Sequence, residues 1–145
     1  MSRISSSLLK RSIWVYHLNT GSCNGCDIEI VAALTPRFDA ERFGVRLVGT
    51  PRHADVILVT GPVTIQTIDK VKRIYEQTPE PKLVVAVGTC ACTGGLFKGS
   101  YSIKGPVNKV FPVDYYIMGC PPRPHNILKG ILEAVNLFKK RGDKK

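Results

Sequence analysis

The chain has 145 residues, 43% of them hydrophobic and 22% charged, which is room for one core built without disulfides and excludes a disordered or collagen-like chain. It contains no run of 18 apolar residues, and its first 14 residues hold no apolar stretch of signal-peptide length, so neither a membrane span nor an export signal is expected. Of the net charge of +10, residues 1–12 carry +3 and residues 139–145 carry +4; a nucleic-acid reader spreads its basic residues over a folded face instead, and no nucleic-acid partner is expected. The expected organisation is a basic N-terminal segment (1–12), one α/β domain (13–138) and a basic C-terminal tail (139–145). The charged ends fit solvated tails, or contact with anionic lipid or an acidic partner subunit.

Residues 12–18 (SIWVYHL) are rich in β-branched and aromatic types and predict a first strand. A loop with Gly21 and Gly25 follows, and a helix opens near Asp27, whose carboxylate suits the positive end of the helix dipole; Pro36 closes it. Strands are predicted at 45–48, 56–60, 83–87 and 114–118, and the third to fifth of the five strands each run into a glycine. Apolar residues at three-residue steps from Ile65 to Ile74 predict a surface helix over 65–75. Residues 98–110, rich in Gly, Lys and Ser, predict an exposed loop. A last amphipathic helix is predicted over 125–140, with its lysines in the final turn. Several strands are unbroken apolar runs, the pattern of a parallel sheet covered by helices on both faces.

The five cysteines, an odd number without an export signal, favour metal or redox chemistry over disulfides. They fall in GSCNGC, GTCAC and GCPPRP, three loops that follow the first, fourth and fifth predicted strands. Ligands of open parallel sheets bind beyond the carboxyl ends of the strands, so the three loops are expected to meet at one rim. One C-x2-C and two lone cysteines do not make the paired knuckles of a structural zinc site. Four thiolates suit a [4Fe–4S] cluster, and Cys120-Pro121 repeats the Cys-Pro of bacterial ferredoxin motifs. Gly21, Gly25, Gly88 and Gly119 would let backbone N–H groups approach anionic sulfur, and Cys26 at a helix start is expected to have a lowered pKa. A thioredoxin-type pair at Cys23 and Cys26 is the competing reading. Spacing alone leaves Cys90 and Cys92 equal candidates for one ligand position.

GSCNGCDIEI, GTCACTGG, GCPPRP and the segments 36–46 and 49–64 resemble the small-subunit family shared by [NiFe] hydrogenases and the cluster-bearing subunit of complex I. The likeness is nearest to the short small subunit of membrane-bound, energy-converting (group 4, Ech-like) hydrogenases. It implies a single flavodoxin-like three-layer α/β domain with the cluster at the carboxyl ends of the strands. It implies ligands at Cys23, Cys26, Cys90 and Cys120, leaving Cys92 as an extra thiol, and a cluster environment of Gly25, Glu29, Arg52, Gly88 and Gly119. In the complex I relatives the first two cysteines are adjacent; here Asn24 and Gly25 separate them, as in hydrogenases, and His53 stands where a quinone-reducing relative is expected to have glutamine.

The function so implied is electron relay through one proximal [4Fe–4S] cluster. The electrons would come from ferredoxin by way of a ferredoxin-like subunit with two [4Fe–4S] clusters. They would pass to a nickel–iron centre in the hydrogenase large subunit of an ion-translocating, hydrogen-evolving complex. One thiol beyond four is too few for this chain to hold the nickel–iron site as well. Integral membrane subunits are expected partners, with this chain peripheral on the cytoplasmic face. The alternatives are the equivalent subunit of a quinone or sulfur-compound reductase and, in another class, a stand-alone thiol oxidoreductase or zinc-binding domain.

Overall fold

A computed structural model describes residues 12–142; most of the basic N-terminal segment and the last three residues of the tail lie outside the described residues. Five strands form one sheet: β1 (Ile13–Asn19), β2 (Val45–Leu47), β3 (Val56–Thr60), β5 (Leu83–Val87) and β7 (Tyr115–Ile117). Their order is β2-β1-β3-β5-β7 and every pairing is parallel, the doubly wound order of flavodoxin-like folds. All residues of β3 and β5 are buried, as their unbroken apolar runs require of strands covered on both sides.

Helices α1 (Gly25–Leu34) and α4 (Pro124–Gly142) cover one face. Their core with the sheet includes Val15, Ile30, Ala33, Leu58, Val85, Ile127 and Ile131. Helix α2 (Ile68–Gln77) and the short α3 (Thr89–Thr93) lie on the other side, where Val71 of α2 packs with Leu18, Ile57, Val59, Val84 and Ala86 of the sheet. The three-layer arrangement expected from the sequence is the one observed. Among the described residues no helix is long and apolar enough to cross a membrane.

Two expectations are corrected. The predicted helix over 65–75 begins later, at Ile68, because the chain first forms strand β4 (Val63–Thr64) and a turn in which Thr64 and Thr67 exchange hydrogen bonds. The predicted loop over 98–110 contains β6 (Ile103–Gly105), paired antiparallel with β4, and a 3-10 turn Val107–Lys109. Its lysines and glycines read as solvent-facing, yet Val107 is fully buried beneath them. One apolar side chain per turn gives no period that a sequence window can detect.

Val107→Ala should therefore lower stability by about 2 kcal/mol, two buried methyl groups plus the space they leave. Its exposed neighbour Asn108→Ala should change it by less than about 0.5 kcal/mol. Urea unfolding of the two variants checks the difference.

Candidate metal centre

In the register of the sheet, Asn19 stands beside Thr60 and Thr60 beside Val87, so the ends of β1, β3 and β5 lie level. The chain beyond them is tied crosswise. Thr20 N–H donates to Thr60 O at 3.0 Å, and Thr20 Oγ1 donates to Thr60 O and Gly61 O. Gly88 N–H donates to Ile117 O and Thr89 N–H to Gly119 O, both at 2.8 Å. The three cysteine loops thus meet at the carboxyl edge, as the strand endings predicted.

Cys23 is exposed in the first loop, and Cys26 is half-buried in the first turn of α1. Cys90 lies in α3 and Cys120 in the loop after β7. The glycines between them make this approach possible. Gly88 has φ +90°, and a Cβ there would clash with Cys26 Sγ. At Gly25 a Cβ would stand 3.7 Å from Cys23 Sγ and 3.9 Å from Pro121, so the first and third loops are neighbours. Gly119, at φ +147°, has no room for a Cβ against Pro122.

The thiols feel one another. Burial first, then Asp27, then Cys23, Cys90 and Cys120 push Cys26 up to about 12. The lowered value expected from the helix terminus is thus reversed, because desolvation and four negative neighbours outweigh a half-charge dipole. Burial, then Cys120 and Cys23, also raise Cys90, against N–H donation from Leu96 and from its own backbone. Among the described residues no three Cys, His, Asp or Glu side chains close on one point as ligands of a single metal ion would.

The remaining expected residues divide. Cys92 is 6% exposed in the core under the sheet, its S–H directed at Ala86 O and Ile117 O; burial pushes it to about 11. Glu29 is half-exposed on α1, three residues beyond Cys26 and so on the same helix face. Arg52 is not brought to the rim. It is exposed in the 3-10 turn Pro51–His53, just before β3, where His53 packs edge-on to Trp14 at 6.2 Å. That is the amino edge of the sheet, with the length of β3 between Arg52 and the cysteines. Nor does Asp55 pair with it; that carboxylate accepts the Trp14 backbone N–H at 3.1 Å.

In the amino-acid order Asp27 reads as an acid of the first helical turn and His17 as a strand residue. They meet. Asp27 Oδ1 accepts from Thr60 Oγ1 at 2.6 Å and lies 2.8 Å from His17 Nε2. Its Oδ2 accepts from Asn19 Nδ2 at 2.7 Å and from Ser22 Oγ. Asn19 Oδ1 in turn takes the N–H groups of Gly21 and Ser22. One carboxylate therefore joins α1, β1, β3 and the loop that carries Cys23. Burial alone would raise Asp27, but hydrogen bonds from Ser22 and Thr60 and the nearby His17 outweigh it and hold the carboxyl below its ordinary value of 3.8. The only sequence signal was an acid directly after a C-x2-C; its partners are up to 33 residues away.

This fold and rim define a class: a doubly wound α/β subunit with a set of thiols gathered at its carboxyl edge. The NADH ubiquinone oxidoreductase 20 Kd subunit family matches residues 23–134, and the chain belongs to that family. It is 58% identical over 130 residues to a probable membrane-bound hydrogenase subunit of Pyrococcus furiosus, covering 90% of this chain and 78% of that one. With formate hydrogenlyase subunit 7 of Escherichia coli it shares 45% over 133 residues, 92% of this chain and 52% of the relative. The structure of an archaeal membrane-bound sulfane sulfur reductase contains a chain that superposes with a TM-score of 0.82 at 36% identity, covering 94% of this chain and 76% of that one. The chain is an electron-transfer subunit of a membrane complex of the complex I and hydrogenase kind.

Asp27→Asn keeps the shape but places a donor where only acceptors are satisfied, and should cost about 1–3 kcal/mol at neutral pH. Because the folded carboxyl is depressed, its contribution is complete above the unfolded pKa and is lost as the pH falls through the lower folded value. Unfolding curves of the two proteins should converge in acid.

Proposed function

We propose that Cys23, Cys26, Cys90 and Cys120 hold one [4Fe–4S] cluster. The chain relays electrons from a ferredoxin-like subunit to a nickel–iron site in the large subunit of an ion-translocating, hydrogen-evolving membrane-bound hydrogenase. The observation that carries this reading is the meeting of three distant cysteine loops at one rim, where Cys23 and Cys120 stand close enough to help raise Cys26 and Cys90, in a chain 58% identical to a membrane-bound hydrogenase subunit. Thiolate donors are those such clusters take, and a bound cluster accepts and returns single electrons.

The chain's own residues have three tasks here. Half-buried Cys26, set against Gly88, shields sulfur from water. The Leu96 N–H donates to Cys90 and offsets negative charge there. The Asp27 network keeps the loop between Cys23 and Cys26 in shape. Gly25, Glu29, Gly88 and Gly119 form the remaining surroundings; Arg52, at the far edge, has no part in them. Peripheral attachment on the cytoplasmic face, beside the large subunit and integral membrane subunits, completes the reading.

A second reading is favoured by the likeness to the sulfane sulfur reductase chain. In it the same subunit serves a large subunit without nickel that reduces a sulfur compound or quinone. Metal analysis of the purified complex separates the two, since nickel belongs to the first alone.

The ligand assignment is tested by electron paramagnetic resonance on the dithionite-reduced complex. Changing Cys23, Cys26, Cys90 or Cys120 to alanine should remove one cluster signal and about four irons per chain, whereas Cys92→Ala should keep both. A signal that survives any of the first four changes would refute the assignment. A colourless, iron-free chain would return the thiol or zinc reading.

A further inference from the structure

On the side of the sheet away from α1 and α4 lies a charged surface that the relay reading leaves unused. From residue 81 to residue 113 the chain contains no acidic residue. Folding of the β4–β6 ribbon gathers three of the four lysines of this stretch, with Lys72, around two adjoining open grooves of about 600 and 780 Å³. The grooves share Ile103, Lys104 and Lys109 as a common wall; Lys98 lines the first, and Lys72 and Ile65 line the second. No acidic side chain lines either groove. None of the four lysines is ion-paired among the described residues. Lys82, by contrast, is used internally: its Nζ donates to Tyr75 O at 2.9 Å and pairs with Glu80 at 3.1 Å.

Four unopposed cations around a concavity concentrate positive potential and attract an anionic surface. The shape selects among anionic surfaces. A groove receives a protruding acidic segment of a protein, whereas a bilayer surface is broad and flat. Ile65, 57% exposed beside the lysines, adds the apolar contact that protein interfaces place among their charges.

Position supplies the function. Thr93 and Gly94, at the end of α3, wall the first groove. A Cβ on Gly94 would stand 3.4 Å from Lys98 Cβ, and one on Gly95 would stand 2.9 Å from Cys90 Sγ. A molecule seated between Lys98 and Lys104 therefore rests against the segment that carries Cys90.

We propose that this lysine-lined groove docks an acidic face of the iron–sulfur protein that delivers electrons to this chain. The identity of the partner rests on the relay reading; the charge of the surface it presents does not.

The test uses the assembled complex with the charge-reversing pair Lys104→Glu/Lys109→Glu and the charge-keeping pair Lys104→Arg/Lys109→Arg. Quantitative mass spectrometry counts the two-cluster iron–sulfur subunit per copy of this chain. The reversed pair should lose roughly tenfold or more of that subunit, as like charges now face each other, while the arginine pair keeps it. In the wild-type complex, zero-length carbodiimide links from Lys98, Lys104 or Lys109 should end on Asp or Glu of the same subunit. Full retention in the reversed pair, equal loss in the arginine pair, or links that end on a catalytic or membrane subunit would each overturn the proposal. If the reversed pair does not accumulate, the wild-type links decide. Neither measurement needs a cluster in this chain, so a missing cluster signal ends the relay reading while the groove is still judged by retention and links.

Discussion

The meeting of three cysteine loops at one edge is the constraint on which this molecule turns. Burial, the Asp27 carboxylate and the neighbouring thiols together drive Cys26 up to about 12. Loops so far apart in sequence need a rigid frame to bring them together. The parallel sheet provides it, because the ends of its central strands are level and the segments beyond them are bonded to one another through backbone groups. The glycines at 88 and 119 are part of the same solution, since side chains there would occupy the space of Cys26 and Pro122.

The first loop needs more than the sheet. Cys23 and Cys26 sit on a turn whose Asn24 has φ +69°, a conformation that costs energy for a residue with a side chain. Asp27 holds that turn from within by accepting hydrogen bonds from three other segments. A carboxylate beside Cys26 is unfavourable for its ionisation, and Asp27 is the second contributor to the rise of Cys26. The arrangement exchanges some ease of ionisation for a loop of defined shape.

A relay subunit has no substrate to recognise, and this explains why one fold serves complexes with different reactions. What it needs is a protected redox position and faces that fit its neighbours. The core, with Cys26 packed against one of its two apolar layers, holds the cysteine-bearing segments in place. The surface is divided in a way that fits the second: α1 carries exposed Ile28 and Val31 next to the cysteines, while the lysines gather across the sheet around the β4–β6 ribbon.

The five parallel strands, the covering helices α1 and α4 and the three cysteine loops were legible in the amino-acid order, because short apolar or β-branched runs bounded by turn residues favour strands and a longer period of three to four favours helices. The rim itself followed from chain direction. Three things were not legible. The β4–β6 ribbon is two and three residues long, below any usable period, and its burial of Val107 depends on what lies beneath it. Arg52 looked like a neighbour of the cysteines, but the direction of β3 carries it to the opposite edge. The Asp27 network joins residues whose separations of 5 to 33 positions carry no pattern. Residue type and local period therefore determined the layers and the supply of thiols. Only the packed chain decided which polar groups face one another, because a hydrogen bond depends on angstrom-scale distances that no one-dimensional spacing encodes.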